Sequence, residues 1–331
     1  MSGSGTAFQS ANSFASFALE ATRGTAAATP TYVPTNGPAM SPMITWLTDS
    51  ALRGSPVGEY DEAAGVRSDD FDAKFYSYED SFPIFLRAIL GGTDTVTGSG
   101  PYVHTIGLAN NSTGSQPPSV TGVLFDAANA FQITGSQAVS LDISSGADKA
   151  LEGNIKLTGN PWSVLGSTPS PTGGTVPLIP SWNTTVSIGG TSVAFVETLD
   201  IKIDRGSKPI FTEGQQGPYT VFAGPLKVSG TLQCVVATTS DPFSIGSTAY
   251  ALNRQHEALV ATFTNPTTSG IIALTMTSVQ FKNPKRTVDG DYTKIAVEFN
   301  ALGNSTDATS GGYSEIKAVV TNSISTAYAG S

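Results

Sequence analysis

The chain has 331 residues, of which 39% are hydrophobic and only 13% are charged, with a net charge of −9. The negative charge argues against a protein that grips nucleic acid, which needs a basic surface, and a single cysteine excludes an intrachain disulfide framework. The sequence has no long apolar run and no basic and apolar leader, so we expect no membrane span and no signal peptide.

Thr, Ser, Gly, Ala and Val are abundant, and long helical patterns are rare, which is typical of a β-rich chain. The length corresponds to about two domains. Residues 1–17 are small and polar and are predicted to form a flexible arm that docks on a neighbour. A first long hairpin is predicted over residues 43–77, and a helix over residues 78–92. The helix has Pro83 near its first turn and Gly91 just past its end, and its apolar stripe should pack on a sheet.

A short hairpin follows over residues 131–160, and the uncharged, Pro-rich residues 161–181 are predicted to be a linker. A second long hairpin spans residues 193–237. On its first arm Leu199, Ile201 and Ile203 alternate with polar residues, and its return arm alternates in the same way from Leu226 to Val228, as expected for strands with one buried face. Its tip, residues 205–218, holds three Gly and two Pro and is predicted to be mobile and to reach out to a neighbour.

The order of a long hairpin, a spacer and a short hairpin occurs twice. Both long hairpins reach an Arg-Gly-Ser sequence, at Arg53 and at Arg205, and the short hairpin at residues 139–160 has a counterpart at residues 279–304. The sequence therefore predicts a first domain at residues 1–160 and a second domain at residues 182–331. A second helix is expected at residues 249–259, and residues 313–324 are a possible last strand.

The sequence contains few candidates for a catalytic or metal-binding site. With one cysteine, Cys234, the two histidines cannot complete a four-ligand zinc site, and we interpret His104 and His256 as structural. Asp69 to Asp72 with Glu79 and Asp80 could bind calcium but lack the spacing of a calcium loop, so a solvated acidic strand is the favoured interpretation. No catalytic residue, cofactor or metal is predicted, and the chain is not expected to be an enzyme.

Five features of the sequence occur together: Ala-Thr-Arg-Gly-Thr at residues 21–25, the long hairpin, the helix ending Leu-Arg-Ala-Ile-Leu-Gly-Gly, Pro-Tyr-Val-His-Thr at residues 101–105 and the Val-Ser-Leu-Asp-Ile hairpin. In these features the chain resembles the tail tube proteins, or major tail subunits, of long-tailed bacteriophages. This resemblance implies a mainly β, sandwich-like or barrel domain with a flanking helix, six copies of which form a ring. Rings stack into a tube through which DNA passes without specific binding.

A duplicated chain would form rings of three chains; if the second domain is instead a decoration, six chains are needed. The resemblance further implies the tail tip, tape measure and tail terminator proteins as partners. The protein would then lie in the virion tail, after assembly in the host bacterial cytoplasm. A capsid decoration or host-binding β-protein is the alternative.

Alternation predicts which residues face the channel of such a ring, and the predicted hairpin tips complete the candidate set. An electronegative channel would repel DNA phosphates, but cross-strand Asp–Lys pairs could instead neutralise it. The candidate channel residues are Asp70, Asp72, Lys74, Asp200, Lys202, Asp204, Lys227, Ser229 and Thr231, and the candidate tip residues are Arg53, Gly54, Arg205, Gly206 and Glu213.

Overall fold

The computed structural model describes residues 8–110, 116–167, 169–170, 176–236, 243, 250–253, 256–288 and 290–330, which are mainly β with a single α-helix. The N-terminal half contains β1 (Phe14–Leu19), β2 (Thr31–Val33), β3 (Thr35–Asp49), β4 (Asp61–Tyr76), α1 (Phe82–Leu90), β5 (Thr95–Thr97), β6 (Tyr102–Ile106), β7 (Val120–Phe125), β8 (Ala130–Gly146), β9 (Glu152–Gly159) and β10 (Ser163–Val164). The C-terminal half contains β11 (Thr184–Ile188), β12 (Thr191–Ser192), β13 (Val196–Asp204), β14 (Lys208–Ile210), β15 (Thr220–Phe222), β16 (Lys227–Val235), β17 (His256–Thr264), β18 (Ile271–Val288), β19 (Thr293–Ala301) and β20 (Lys317–Asn322). Two short 3-10 helices lie at Ser10–Asn12 and Ser181–Asn183.

The predicted helix is confirmed as α1. Ser81 precedes it, and Gly91 ends it in the left-handed region at φ 81°, which glycine adopts without a steric cost. The ring of Phe85 lies 5.1 Å from that of Phe17 and 4.5 Å from that of Phe75, which anchors the helix on β1 and β4. Among the described residues, no helix combines the length and the apolar character that a membrane span requires.

Strand pairing follows the same order in both halves of the chain. In the first half the pairs run β2–β1–β7–β8–β9–β4–β3, and in the second half they run β12–β11–β17–β18–β19–β16–β13. In each half one long strand, β8 or β18, pairs near its start with β7 or β17 and near its end with β9 or β19. An additional strand, β10 or β20, pairs with that long strand near its start.

The two halves join through one antiparallel seam between β8 and β13, in which Ser140 lies opposite Asp204 and Asp142 lies opposite Lys202. The seam makes a continuous sheet in the order β3–β4–β9–β8–β13–β16–β19–β18. Within the described residues, the outer edge of β3 and the outer edge of β18 beyond Gln280 carry no strand partner. This eight-stranded sheet is therefore open at both ends.

Three sequence predictions are wrong in part. Phe14 and Phe17 do not belong to a flexible arm, because β1 is buried throughout and pairs with β2 and β7; residues 1–7 lie outside the described part. Residues 256–259, predicted to be helical, begin β17, where alternate side chains are buried. The predicted linker is partly structured, since β10 pairs with β8 and Ile179 is fully buried.

The predicted last strand is confirmed in its centre as β20. This strand pairs with β18 on one side and with β6 of the first half on the other, so the C-terminal residues join the two halves a second time. A buried contact supports the same connection, because Glu79 accepts a hydrogen bond from Asn265 Nδ2 at 2.9 Å.

Gly230 in β16 marks a close approach inside the eight-stranded sheet. A Cβ atom at this position would lie 2.1 Å from the backbone oxygen of Asp200 and 2.4 Å from the ring of Phe299. The phenyl ring thus lies across the glycine and fills the space that a side chain would occupy. At Gly58, in contrast, a Cβ atom would have no neighbouring atom within 4 Å.

We predict that Gly230→Ala lowers the free energy of unfolding by about 1–3 kcal/mol, because the methyl group overpacks the sheet. Gly58→Ala is the matched control and should change it by less than about 0.5 kcal/mol. Denaturant unfolding of the unassembled chain measures both. Equal effects of the two substitutions would contradict this view of the sheet.

Candidate channel face and hairpin tips

The nine predicted channel residues all lie on one face of the eight-stranded sheet. Direct cross-strand pairs connect Asp72 of β4 to Lys156 of β9, Lys156 to Ser140 of β8, and Ser140 to Asp204 of β13. The face therefore continues across the seam without interruption. On the other side, all five residues predicted for the core are buried, namely Leu199, Ile201, Ile203, Leu226 and Val228.

Positive and negative side chains are nearly equal in number on this face. Its carboxylates are Asp70, Asp72, Asp142, Glu152, Glu197, Asp200, Asp204 and Glu298, and its lysines are Lys74, Lys156, Lys202, Lys227, Lys282, Lys285 and Lys294. Lys156 Nζ lies 3.2 Å from Asp70 Oδ2, and Lys294 Nζ lies 2.7 Å from Glu197 Oε1. This balance favours cross-strand neutralisation over a strongly electronegative face.

Polar contacts hold the face together at the seam. Ser144 on β8 donates a hydrogen bond to Asp200 Oδ1 on β13 at 2.6 Å, and Thr231 on β16 donates to Asp200 Oδ2 at 3.3 Å. Asp142 borders a depression of about 470 Å³ whose lining includes Lys74 and Glu152. Burial raises the pKa of Asp142 above its usual 3.8 and outweighs the opposite effects of Lys202 and of the hydrogen bond from Asn154.

The two Arg-Gly-Ser sequences do not occupy equivalent positions. Arg53 lies at the exposed end of the first long hairpin, where it pairs with Asp49 and covers the ring of Tyr60 at 4.6 Å. Arg205 is buried at the end of β13, and its backbone N–H donates to the oxygen of Val139. The alignment of the two sequences is therefore wrong, although the hairpins themselves form.

The two glycines that follow these arginines, Gly54 and Gly206, are both exposed and both have positive φ, at 70° and 54°. Glu213 is also exposed. Only the first hairpin, however, extends past its neighbours.

The residues between β13 and β16 do not form a mobile tip but pack on the first half of the chain. Gln216 accepts a hydrogen bond from the N–H of Arg67 at 2.9 Å and donates its own side-chain amide to Gly65. Gln116 and Ala223 exchange two hydrogen bonds, one of them at 2.8 Å. Long sequences rich in Gly and Pro indicate a loop, but they do not reveal what the loop packs against.

Comparison with protein families identifies this architecture. The family model described as phage tail tube protein matches residues 10–322, which is nearly the whole chain. The chain belongs to the phage tail tube protein family. No match was found among curated proteins.

In this tail tube protein the Ala-Thr-Arg-Gly-Thr sequence is organised by a buried carboxylate that sequence reasoning missed. Glu20 accepts hydrogen bonds from the N–H of Gly24 at 2.7 Å, from Ser119 Oγ at 2.6 Å and from the N–H of Gly135 at 2.8 Å. Arg23 beside it donates to the backbone oxygen of Val221 and so contacts the segment between β13 and β16. The Ala-Thr-Arg-Gly-Thr sequence therefore contributes to the contact between the two halves.

A second buried carboxylate, Asp69, holds the base of the first long hairpin. It accepts hydrogen bonds from Arg67 Nε at 2.8 Å and Arg67 Nη2 at 2.7 Å, and from the N–H of Trp162 at 2.8 Å. Its neighbour Asp70 pairs with Lys156, and Glu79 bonds to Asn265, so these acids do not converge on one point. In the described part of the tail tube protein, no three His, Cys, Asp or Glu side chains are placed to bind a metal.

Both histidines of the tail tube protein lie in strands. His104 is fully buried, with Nδ1 at 2.8 Å from Asp94 Oδ2 and Nε2 at 2.9 Å from the oxygen of Ile324. The ring also packs against Tyr328 at 4.9 Å. Two of these contacts, with Ile324 and with Tyr328, hold the C-terminal residues. His256 begins β17 and is exposed.

We predict that Asp69→Ala lowers the free energy of unfolding by about 3 kcal/mol, because it leaves the Arg67 guanidinium without its buried partner. Asp70→Ala is the matched control and should cost less than about 1 kcal/mol, since Lys156 is 40% exposed. Denaturant titration of the unassembled chains compares the two variants, and similar losses would contradict the role of Asp69.

We predict a pH-dependent effect of Asp142→Asn. Since the folded state raises the pKa of Asp142, its contribution to stability is fully present below the unfolded value and is lost as pH rises through the folded value. The asparagine variant should therefore melt at a higher temperature than the wild type at pH 7 and at a similar temperature near pH 3. Thermal scans across pH test this, and a difference that stays constant with pH would contradict it.

Proposed function

We propose that this structural tail tube subunit forms closed rings of three chains, which stack into the conduit for DNA ejection. The observation that carries the proposal is the repeated strand order, joined inside one chain by the β8–β13 seam. We assign one tail-tube-like domain to residues 1–160 and a second to residues 182–331. Each chain then contributes two of the six domain copies in a ring.

Ring closure follows from the open edges of the eight-stranded sheet. Unpaired backbone N–H and C=O groups on an edge are a template for another strand, and full closure removes such edges. In our proposal β18 of one chain pairs with β3 of the next, as β8 pairs with β13 inside the chain. Three such seams between chains alternate with three seams inside chains.

The internal seam supplies the register of this contact. In each domain, directly opposed residues form a row across four neighbouring strands. In the first domain this row is Ala39, Asp72, Lys156 and Ser140, and in the second domain it is Lys202, Ser229, Asn300 and Gln280. We take the two rows as equivalent, residue by residue. Inside the chain, Lys202 lies opposite Asp142, two residues beyond Ser140. The same geometry between chains places Ala39 opposite Lys282, two residues beyond Gln280.

The polar face of the sheet would line the channel of such a ring. With its lysines opposed by carboxylates, the wall offers DNA phosphates no basic track to bind. The DNA would then pass through the channel without strong electrostatic attraction to its wall or strong repulsion from it. The tail tip, tape measure and tail terminator proteins are the further partners that we propose, with assembly in the host cytoplasm.

We predict that a chain carrying Ala39→Cys and Lys282→Cys forms disulfides between chains on oxidation of assembled material. The native cysteine, Cys234, is buried and should not interfere. Because the ring closes at three chains, the cross-linked products should be dimers and trimers and nothing larger, as measured by denaturing mass spectrometry. Met43→Cys with Lys282→Cys is the register control, since four residues along a strand are about 13 Å.

Cross-linked products that extend to six chains would show that the ring has six subunits. Tubes that form normally without any cross-link through Ala39 and Lys282 would contradict the proposed seam. Equal cross-linking of the register control would contradict the alignment of the two domains.

A further inference from the structure

A single Asn-Gly sequence occurs in the chain, at Asn36 and Gly37 near the start of β3. The register of the β3–β4 pairing shifts between Asn36 and Ala39, so that Gly37 and Pro38 form a bulge in β3. Asn36 and Gly37 are both exposed. The bulge thus lies on the strand whose outer edge carries no strand partner within the described residues.

The bulge leaves space around the peptide bond that joins Asn36 to Gly37. Gly37 has a φ of 67°, and a Cβ atom at this position would have no neighbouring atom within 4 Å. Within the described part of the chain, the Asn36 side chain has no hydrogen-bond partner. Asn304 differs in this respect, because its Nδ2 donates to Asp307 Oδ2 at 2.8 Å and its Oδ1 accepts from the N–H of Asp307 at 2.9 Å.

We propose that Asn36 is a site of spontaneous deamidation. The backbone nitrogen of Gly37, which no side chain shields, loses its proton to solvent and attacks Cγ of Asn36. A bond forms between this nitrogen and Cγ, the bond between Cγ and Nδ2 breaks, and ammonia leaves. The product is a five-membered succinimide that includes the main chain.

Water then opens the succinimide at one of its two carbonyl groups. Cleavage of the new bond between nitrogen and Cγ gives aspartate, with the main chain unchanged. Cleavage of the original peptide bond gives isoaspartate, in which the main chain runs through Cγ and is one carbon atom longer. Both products add one negative charge, but only isoaspartate changes the path of the backbone.

The position of Asn36 in the sheet corresponds to that of Asp200. Directly opposed residues form the row Asn36, Lys74, Asn154 and Asp142 in the first domain and the row Asp200, Thr231, Glu298 and Lys282 in the second. Across the internal β8–β13 seam, Asp200 lies opposite Ser144 and accepts a hydrogen bond from it at 2.6 Å. The deamidation site therefore lies on the stretch of β3 that corresponds to the seam-forming part of β13.

The two products have different consequences in the proposed ring, on which this step rests. Aspartate places at residue 36 the carboxylate that Asp200 supplies in the internal seam. Isoaspartate lengthens the backbone inside the strand and shifts the residues beyond it, and pairing of a strand with a buried face does not tolerate such a shift. Chains with isoaspartate are therefore excluded from rings, whereas pairing of β3 in a ring restrains Gly37 and protects Asn36.

The chemical step is tested on the full-length chain, kept below the concentration at which it assembles. Peptide mass spectrometry follows Asn36 during prolonged incubation, and enzymatic methylation of isoaspartate distinguishes the two products. Asn36 should be converted, faster as the pH rises, because the attacking nitrogen must lose its proton. Asn304 is the internal control and should stay intact. An Asn36 that also stays intact at every pH would overturn the proposal.

The consequence for assembly is tested by concentrating the aged chains and separating tubes from free chains by sedimentation. Isoaspartate at residue 36 should be about tenfold rarer in the tubes, which corresponds to roughly 1.4 kcal/mol at the seam. Asn36→Asp should assemble like the fresh wild type, which separates the added charge from the change in the backbone. Asn36→Gln, which would need a six-membered ring to react, should keep its assembly after ageing.

Equal amounts of isoaspartate in tubes and in free chains would overturn the role of the modification in assembly. Loss of assembly by Asn36→Gln on ageing, at the same rate as the wild type, would overturn it as well. Absence of rings from the fresh wild-type chain would instead contradict the proposed function, while deamidation of the free chain would still be measured. The two failures are therefore distinguishable.

Discussion

The unpaired edges of one antiparallel sheet are the constraint on which the structure depends. A sheet of eight strands that ends in two open edges exposes backbone groups for pairing. Inside the chain, the β8–β13 seam satisfies these groups between the two halves. Within the described residues, the β3 edge and the distal β18 edge carry no strand partner. In the proposed ring, the contact that is already made within the chain is repeated between chains.

The two halves differ where they face away from this sheet. In the first half, the hairpin extends beyond Asp69, and past its contacts with Gln216 it pairs only with itself. In the second half, the connection from Arg205 turns back and packs on the first half through Gln216 and Ala223. Of the two long hairpins, only the first therefore extends past its neighbours in the described part of the chain. In the proposed ring of three chains, this extension would occur three times and not six.

Much of the fold could be predicted from the sequence because alternation and capping are local signals. The period of two placed Leu199, Ile201 and Ile203 in the core, and Gly91 marked the end of the helix. The sequence could not reveal that Arg205 is buried, because it contacts Val139, which lies in the other half of the chain. The role of Glu20 was hidden for the same reason, since its partners Ser119 and Gly135 lie in β7 and β8 or beside them. The helical composition near His256 was overridden by pairing with β18.

The most direct test of the central claim is a cryo-electron microscopy map of assembled tubes, in which the projecting β3–β4 hairpins of each ring layer are counted. A ring of three chains should show three hairpins per layer, with six similar sheet segments around the channel and alternating seams within and between chains. Six projecting hairpins per layer, or a channel wall in which β18 does not pair with β3 of the neighbouring chain, would contradict it.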